Sequence, residues 1–362
     1  MRILHLITNA ELGGAQSVAA SLARWAVANG REAAVASQAE GPLWDSLDPR
    51  IARFRLKRMV KEISPIDDIL VFGELRRVMR DYDPDIIHLH SSKAGVLGRL
   101  AAGRLRPRIV YTVHGFDTIL KAHRAFLPLE RILRHYCGAI AAVSEYDARN
   151  LATNGIARKV RVIRNGVRDW RESRPGDEAA ARAIERARRS GGAVLAIARL
   201  APPKRFDLFR AAARLLPRAE FFWIGNEGPP DGTALPRNVT MLGSLPDAGA
   251  YASLADVLVL LSDYEGLPMS VLESLSCGTP VVASRVGGVA EALDGSCGET
   301  VGNDAVEAAE AIARYLPGGE RHYSSDPSVR ASARRRYESL FSDEAMARAY
   351  SALYDELCGV RE

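Results

Sequence analysis

Short uninterrupted apolar runs alternate along the chain with longer amphipathic stretches. "RILHLIT" predicts a strand, and "GGAQSVAASLARWAVANG" predicts a helix closed by Gly30. "EAAVAS" predicts a second strand, and "DDILVFGELRRVMRDY" a helix that stops near Pro84. "DIIHLH", "RIVYTVH" and "GAIAAVS" predict buried strands, each followed by a helical stretch, and "KVRVIRNGV" closes the set. Strands that are apolar throughout, rather than alternating, predict a parallel sheet covered by helices on both faces.

Residues 171–191, "RESRPGDEAAARAIERARRSG", are charged and read as a linker with a surface helix. A second alternation then begins with "AVLAIAR" and "AEFFWIG" and continues through "NVTMLGS", "ADVLVLLS" and "PVVAS". "VRASARRRYESLFSDEAMARAYSALYDELCG" reads as a helical tail. The expected fold class is therefore α/β, with two doubly wound, Rossmann-like domains facing across an interdomain cleft. The expected divisions are 1–168, 169–335 and a terminal helical segment 336–362. In such sheets ligands bind beyond the carboxyl ends of the strands.

Composition narrows the class. The 362 residues, 47% hydrophobic and 26% charged, fit an ordinary globular protein. No apolar run approaches the roughly 20 residues of a spanning helix. The first residues carry His5 and run into a glycine turn, unlike a signal peptide. Cys137, Cys277, Cys297 and Cys358 form no C-x-x-C pair, which points to free thiols in a reducing cytoplasm. The net charge of +5 permits anionic partners without selecting one. The basic residues are scattered and lack an aromatic-interleaved motif, so nucleic acid is not an expected partner. Arginine dominates them, which makes a lysine in a chemically suggestive place more informative.

"TNAELGGAQSVAASLA" follows the first strand. Gly13 and Gly14 allow close backbone approach, and the helix start offers N–H groups to an anion. A tight turn without a ligand is the alternative. The spacing is not the G-x-G-x-x-G dinucleotide fingerprint, which disfavours a nicotinamide enzyme. His88 and His90 alternate on one strand and point the same way, but with no third ligand at hand they read as strand packing or site polarity. His114 ends "RIVYTVH" and is followed by Gly115, which places it at the ligand-binding end of its strand; a histidine satisfying nearby backbone groups is the alternative.

In the second half, "AIARLAPPKRFD" puts Arg199 and Lys204 at the carboxyl end of a strand. The arginine can fork onto phosphate oxygens and the lysine supplies a compact charge; a pair of solvated surface charges is the alternative. "DYEGLPMSVLE" contains two glutamates. Pro268 suits a first helical position, which leaves Glu265 in the loop and Glu273 inside the helix. The N–H groups of Leu267, Met269 and Ser270 then face an anion at the positive helix end. A fully helical path would put the carboxyls about 12 Å apart along the axis. A retaining hydrolase wants about 5 Å. Separate roles therefore fit better than an acid/base pair.

Together "GGAQ", "HGFD", "NGV", "RLAPPK", "DYEGLPMSVLE" and "CGTPVVASRVGGVAE" resemble the pattern of glycosyltransferase family 4, on the two-Rossmann GT-B fold. The Glu-x7-Glu motif with its flanks is the specific part. The resemblance implies a retaining hexosyltransferase that uses a nucleotide-diphosphate sugar, with UDP or GDP ahead of ADP. It implies no cofactor and no metal. It makes 1–168 the acceptor domain and 169–335 the donor domain, with the last helix crossing back to the first domain. By the same resemblance Arg199 and Lys204 neutralise the diphosphate and Glu273 holds the ribose. Glu265, with the Gly266, Leu267, Met269 and Ser270 backbone, contacts the donor sugar and phosphates. His114 reaches that sugar, Gly13 and Gly14 lie near phosphates and acceptor, and Leu242 and Gly243 line the base pocket. Two departures stand out: Arg205 and Pro268 occupy positions where many members carry glycine.

The expected acceptor is a glycan or polyprenyl-linked saccharide in cell-surface polysaccharide assembly. "RIARFRLKRMVKEI" and "KAHRAFLPLERILRHYC" are basic and amphipathic, so docking on an anionic membrane stands beside a solvated basic face as a reading. The expected location is cytoplasmic, extending to the inner face of the plasma membrane. Two rivals remain: a GT-B-like sugar-nucleotide epimerase, and a catalytically inactive sugar-nucleotide-binding subunit.

Overall fold

The apolar runs are strands of two separate parallel sheets. The structure is a computed structural model that describes residues 1–226, 228, 232 and 234–359. Thus 227, 229–231 and 233 of the segment 169–335, and 360–362 of the segment 336–362, lie outside the described residues. The chain divides into two compact units. One holds Met1–Gly166 and the chain from Asp343 onward, and the other holds Val167–Ser342.

The first unit contains β1 (Arg2–Leu6), β2 (Glu32–Gln38), β3 (Ala52–Leu56), β4 (Ile86–Leu89), β5 (Ile109–Val113), β6 (Ala139–Ala142) and β7 (Val160–Val162). They pair in parallel in the order β3-β2-β1-β4-β5-β6-β7. The second unit contains β8 (Ala193–Ile197), β9 (Glu220–Ile224), β10 (Val239–Met241), β11 (Val257–Leu260), β12 (Val281–Ser284) and β13 (Gly298–Val301), in the order β10-β9-β8-β11-β12-β13. Every residue of β4, β5, β11 and β12 is buried, as strands covered on both faces require. The order reverses between β1 and β4 in one sheet and between β8 and β11 in the other. Beyond the carboxyl ends of strands at such a reversal, neighbouring loops diverge and leave a crevice.

The helices follow the 3.6-residue period. Helix Gly14–Ala28 buries Val18, Ala19, Leu22, Ala23 and Ala26 on one face. The tail is two helices, Ser328–Leu340 and Asp343–Cys358, and not one. The break holds because the Phe341 side chain is fully buried and its carbonyl accepts from the Val167 N–H at 2.9 Å. Helix Asp343–Cys358 seals the first sheet with Met346, Ala347, Tyr350, Leu353 and Tyr354. Its two tyrosines reach into the strands: Tyr350 Oη lies 2.9 Å from Thr112 Oγ1, and Tyr354 Oη lies 2.6 Å from His88 Nδ1.

The basic stretch 50–63 is reshaped by the fold. Ala52–Leu56 is the edge strand β3, with Arg53 and Arg55 exposed in alternation. Charged side chains on an edge discourage pairing with other chains. Ile51, Leu56 and Met59 belong to the core. The exposed apolar residues lie just downstream, at Ile63, Ile66, Ile69 and Leu70. In the second stretch Phe126 and Ile132 are exposed. Glu130 instead turns inward, where both carboxylate oxygens accept from Arg99 Nη2 at 2.8 Å. The Arg99 guanidinium stacks 4.3 Å from the Tyr111 ring centre. The four cysteines are free thiols. Among the described residues no helix is long and apolar enough to cross a membrane.

Candidate active site

The second unit gathers its predicted residues at one end of the sheet, at the β8/β11 reversal. The loop after β8 is stitched to the loop after β11: Arg205 N–H donates to Leu261 O, and Asp263 N–H donates to Pro203 O, both at 2.9 Å. Lys204 forms an antiparallel bridge with Ser262. That pairing delivers the ammonium of Lys204 directly to the Glu265 carboxylate, with which it forms a short ion pair. Both side chains are mostly buried, 18% and 12% exposed, so water screens the pair weakly. Arg199 is exposed two residues beyond β8. Arg205 turns away to Asp207 and Asp263 at 2.7 and 3.1 Å.

The helix after Glu265 is Met269–Ser276, and Pro268 is its N-cap, not its first residue. Pro268 O accepts from Val271 N at 3.2 Å. The Met269 and Ser270 N–H groups have no partner among the described residues and stand at the positive end of the helix. Leu267 is buried and takes part in an interaction within the fold. Gly266 is buried beneath the loop, where its carbonyl accepts from Gly288 N at 2.8 Å. Gly287 has φ +55°, and a Cβ there would fall 1.8 Å from Glu265 O. Only glycine fits, so Gly287 shapes the loop that holds Glu265. "RVGG" carried that signal in the sequence, although no role was assigned to it.

Glu273 is the fifth residue of the same helix and is partly buried. Its carboxylate makes no hydrogen bond among the described residues. Burial pushes the carboxyl up to about 7, and the positive Arg168 offsets this only in part. Arg168 lies 3.7 Å over the Trp170 ring and pairs with Asp247 at 2.7 Å. The sequence reading missed both Arg168 and Trp170, which lie about a hundred residues away in "NGVRDW". Leu242 and Gly243 follow β10 on the far side of β9, where Leu242 N donates to Trp223 O at 2.8 Å. Gly243 has φ +75°, a left-handed turn that suits glycine. They share the carboxyl end of the sheet with Lys204 but sit on another strand.

In the first unit Gly13 caps helix Gly14–Ala28 with extended backbone, and Gly14 is exposed at its start. His114 follows β5 and is partly exposed. Its Nε2 lies 3.5 Å from His90 Nδ1, and His90 Nε2 lies 3.0 Å from His5 Nδ1. Burial lowers His5 to about 3 and His114 to about 4. His88 and His90 are likewise held well below the usual histidine range, by burial first and by their histidine neighbours second. All four rings are therefore neutral at pH 7. Ring nitrogens of His5, His88 and His90 lie within 4.8 Å of one another, close enough to consider a metal. However, Thr112 Oγ1 and Tyr354 Oη occupy both His88 nitrogens at 2.6 Å, and histidines occupy both of His90. Among the described residues, His5, His88 and His90 form hydrogen-bonded wiring that leaves one of their nitrogens open, His5 Nε2.

Comparison with known proteins gives the family. The family model described as Glycosyltransferase Family 4 matches residues 12–171, and that described as Glycosyl transferases group 1 matches residues 191–317. The chain is 29% identical over 274 residues to the UDP-Gal:alpha-D-GlcNAc-diphosphoundecaprenol alpha-1,3-galactosyltransferase of Escherichia coli, covering 68% of this chain and 70% of that one. It is 30% identical over 279 residues to a D-inositol 3-phosphate glycosyltransferase of Mycobacterium leprae, covering 69% and 63%. The crystal structure of Anabaena HepE in complex with UDP-glucose superposes with a TM-score of 0.82 at 20% identity, over 98% of this chain and all of that one. That likeness identifies the two parallel-sheet units as the GT-B fold. With one family model on each unit and glycosyltransferases among its relatives, the chain belongs to glycosyltransferase family 4.

Proposed function

We propose that this glycosyltransferase is a retaining hexosyltransferase that takes a nucleotide-diphosphate sugar, UDP- or GDP-linked ahead of ADP-linked, without a metal. The observation that carries the reading is Lys204 held against Glu265 at the β8/β11 reversal, beside an open helix N-terminus. Lys204 and Arg199 neutralise the leaving diphosphate, and the Met269 and Ser270 amides donate to a phosphate oxygen. Glu265, Gly266 and Leu267 form the loop against the donor sugar. Glu273 receives the ribose hydroxyls, and Leu242 and Gly243 flank the base. His114 contacts the sugar, with Gly13 and Gly14 near the phosphates and acceptor. A cation fixed in advance stabilises charge where it develops on the leaving group. That role needs no enzyme nucleophile, and retention then follows from same-face attack by the acceptor hydroxyl.

The acceptor in this reading is a glycan or polyprenyl-linked saccharide in cell-surface polysaccharide assembly. The Escherichia coli relative's name specifies a diphosphoundecaprenol acceptor and a UDP-linked donor, which supports this class and a UDP donor. Incubating the protein with labelled UDP-, GDP- and ADP-sugars and a polyprenyl-diphosphate saccharide should yield a new glycoside from a UDP or GDP donor. An isomerised sugar nucleotide with no glycoside would favour the epimerase. Donor binding at 100 times its Kd should add about 2.7 kcal/mol of stability, read as a rise in melting temperature.

A lipid-linked acceptor places the enzyme at a membrane. Exposed Ile63, Ile66, Ile69 and Leu70, next to exposed Lys57, Arg58 and Lys61, supply the apolar and cationic parts of such a contact. The protein should co-sediment with anionic vesicles at low salt, and the double variant Ile66→Glu, Ile69→Glu should lower the bound fraction several-fold. Equal recovery of both proteins in the pellet would remove the docking surface from this reading.

A further inference from the structure

Three imidazoles run in line from the core of the first unit to the carboxyl end of its sheet. His5 stands on β1, His90 follows β4 and His114 follows β5. The links are 3.0 Å from His5 Nδ1 to His90 Nε2 and 3.5 Å from His90 Nδ1 to His114 Nε2. His88 is no part of this line, because Thr112 and Tyr354 take both its nitrogens.

A neutral imidazole carries one N–H and one bare nitrogen. A ring that donates to the next requires a bare nitrogen facing it, and so puts that ring's proton on the far side. The line therefore has two self-consistent states. Either every proton points toward His114, or every proton points toward His5. The buried end decides between them. His5 is fully buried and its Nε2 has no partner among the described residues. Protons pointing inward would strand an N–H donor there, whereas protons pointing outward leave only a bare nitrogen. Orphaned buried N–H groups are rarer than under-satisfied acceptors.

We propose that His5 and His90 are positioning residues that hold His114 as its Nδ1–H tautomer, so that His114 offers substrate a hydrogen-bond donor and not an acceptor. The partly exposed His114 ring supports this, since its Nδ1 makes no hydrogen bond among the described residues. Its partner on the substrate is then an oxygen lone pair. The functional part of this inference rests on the proposed contact between His114 and the sugar. The tautomer itself does not.

Two-bond proton–nitrogen NMR correlation on the full chain, labelled with 15N-histidine at pH 7, reads the tautomers directly. The expected result is Nδ1–H at His5, His90 and His114, against the Nε2–H preference of a free imidazole. An Nε2–H form at His114 or His90 overturns the proposal. His90→Leu removes the donor behind His114 and should shift it toward Nε2–H, with turnover falling about tenfold. His90→Asn keeps an N–H donor near the Nδ1 place and should retain the Nδ1–H form and most of the turnover. A His114 tautomer unchanged in folded His90→Leu counts against the relay. If that variant fails to fold, the wild-type spectrum still decides. Full transfer activity in His114→Ala would defeat the sugar contact while leaving the tautomer assignment standing.

Discussion

Lys204→Ala is expected to lower turnover by about 100- to 1,000-fold while the protein stays folded, as removal of one preorganised charge-stabilising donor does elsewhere. In the ligand-free structure the ammonium is matched by Glu265, with which it shares the β8/β11 reversal. As the glycosidic bond breaks, negative charge gathers on the diphosphate, and a mostly buried cation beside it acts at low local dielectric. Lys204→Arg should recover only part of the loss, because a planar guanidinium cannot occupy the space of a compact ammonium without moving the stitched loops. A donor with an intrinsically better leaving group should lose less than the natural one. Arg199→Ala should act in the same direction from the exposed side of the site. Near-normal transfer by both alanine variants, with thermal melting unchanged, would end the diphosphate-clamp assignment.

Glu273→Gln is expected to stabilise the ligand-free protein at pH 8 by about 2–3 kcal/mol and to leave it unchanged at pH 4. The carboxyl titrates at about 7 in the folded protein, against an ordinary value of 4.5. Between those values the folded state holds a proton that the unfolded chain has released, so the Glu273 contribution to stability falls as pH rises through that window. Below it both states are protonated and the penalty vanishes. Partial access of the side chain to solvent keeps the figure below the full value of the shift. The donor KM should rise about tenfold in the same variant, since in the proposed ribose contact one of two acceptor oxygens becomes a donor. Urea titrations of both proteins at the two pH values give the answer. An equal gain at pH 4 and pH 8 would show that the carboxylate is not the source. Stability withheld in the resting protein and recovered on donor binding is how a binding carboxylate differs from a surface one.

The split of "DYEGLPMSVLE" was legible because local signals wrote it: a buried strand, a loop, a proline and an amphipathic run. The boundary moved by one residue, since Pro268 has extended rather than helical ψ and serves as the cap. The edge strand β3 was not legible. Its Arg53 and Arg55 face solvent and its core residues are few, so the stretch reads as a basic amphipathic segment. The histidine line was half legible. The alternation in "DIIHLH" put His88 and His90 on one face, but His5 and His114 join them through strand neighbours far apart in sequence.

By itself, then, the sequence determined two strand–helix alternations, the parallel character of both sheets and the kinds of residue at the strand ends. These are set by period and composition within a dozen residues. Only the tertiary structure decided which partners meet. It brought Lys204 to Glu265 across 61 positions, raised the Glu273 carboxyl by burying it, against the opposing charge of Arg168, and gave His88 and His90 different roles on one strand face. Those outcomes depend on loop stitching and burial, and the free energy of a charge or a proton is fixed by its surroundings in space, not by its neighbours along the chain.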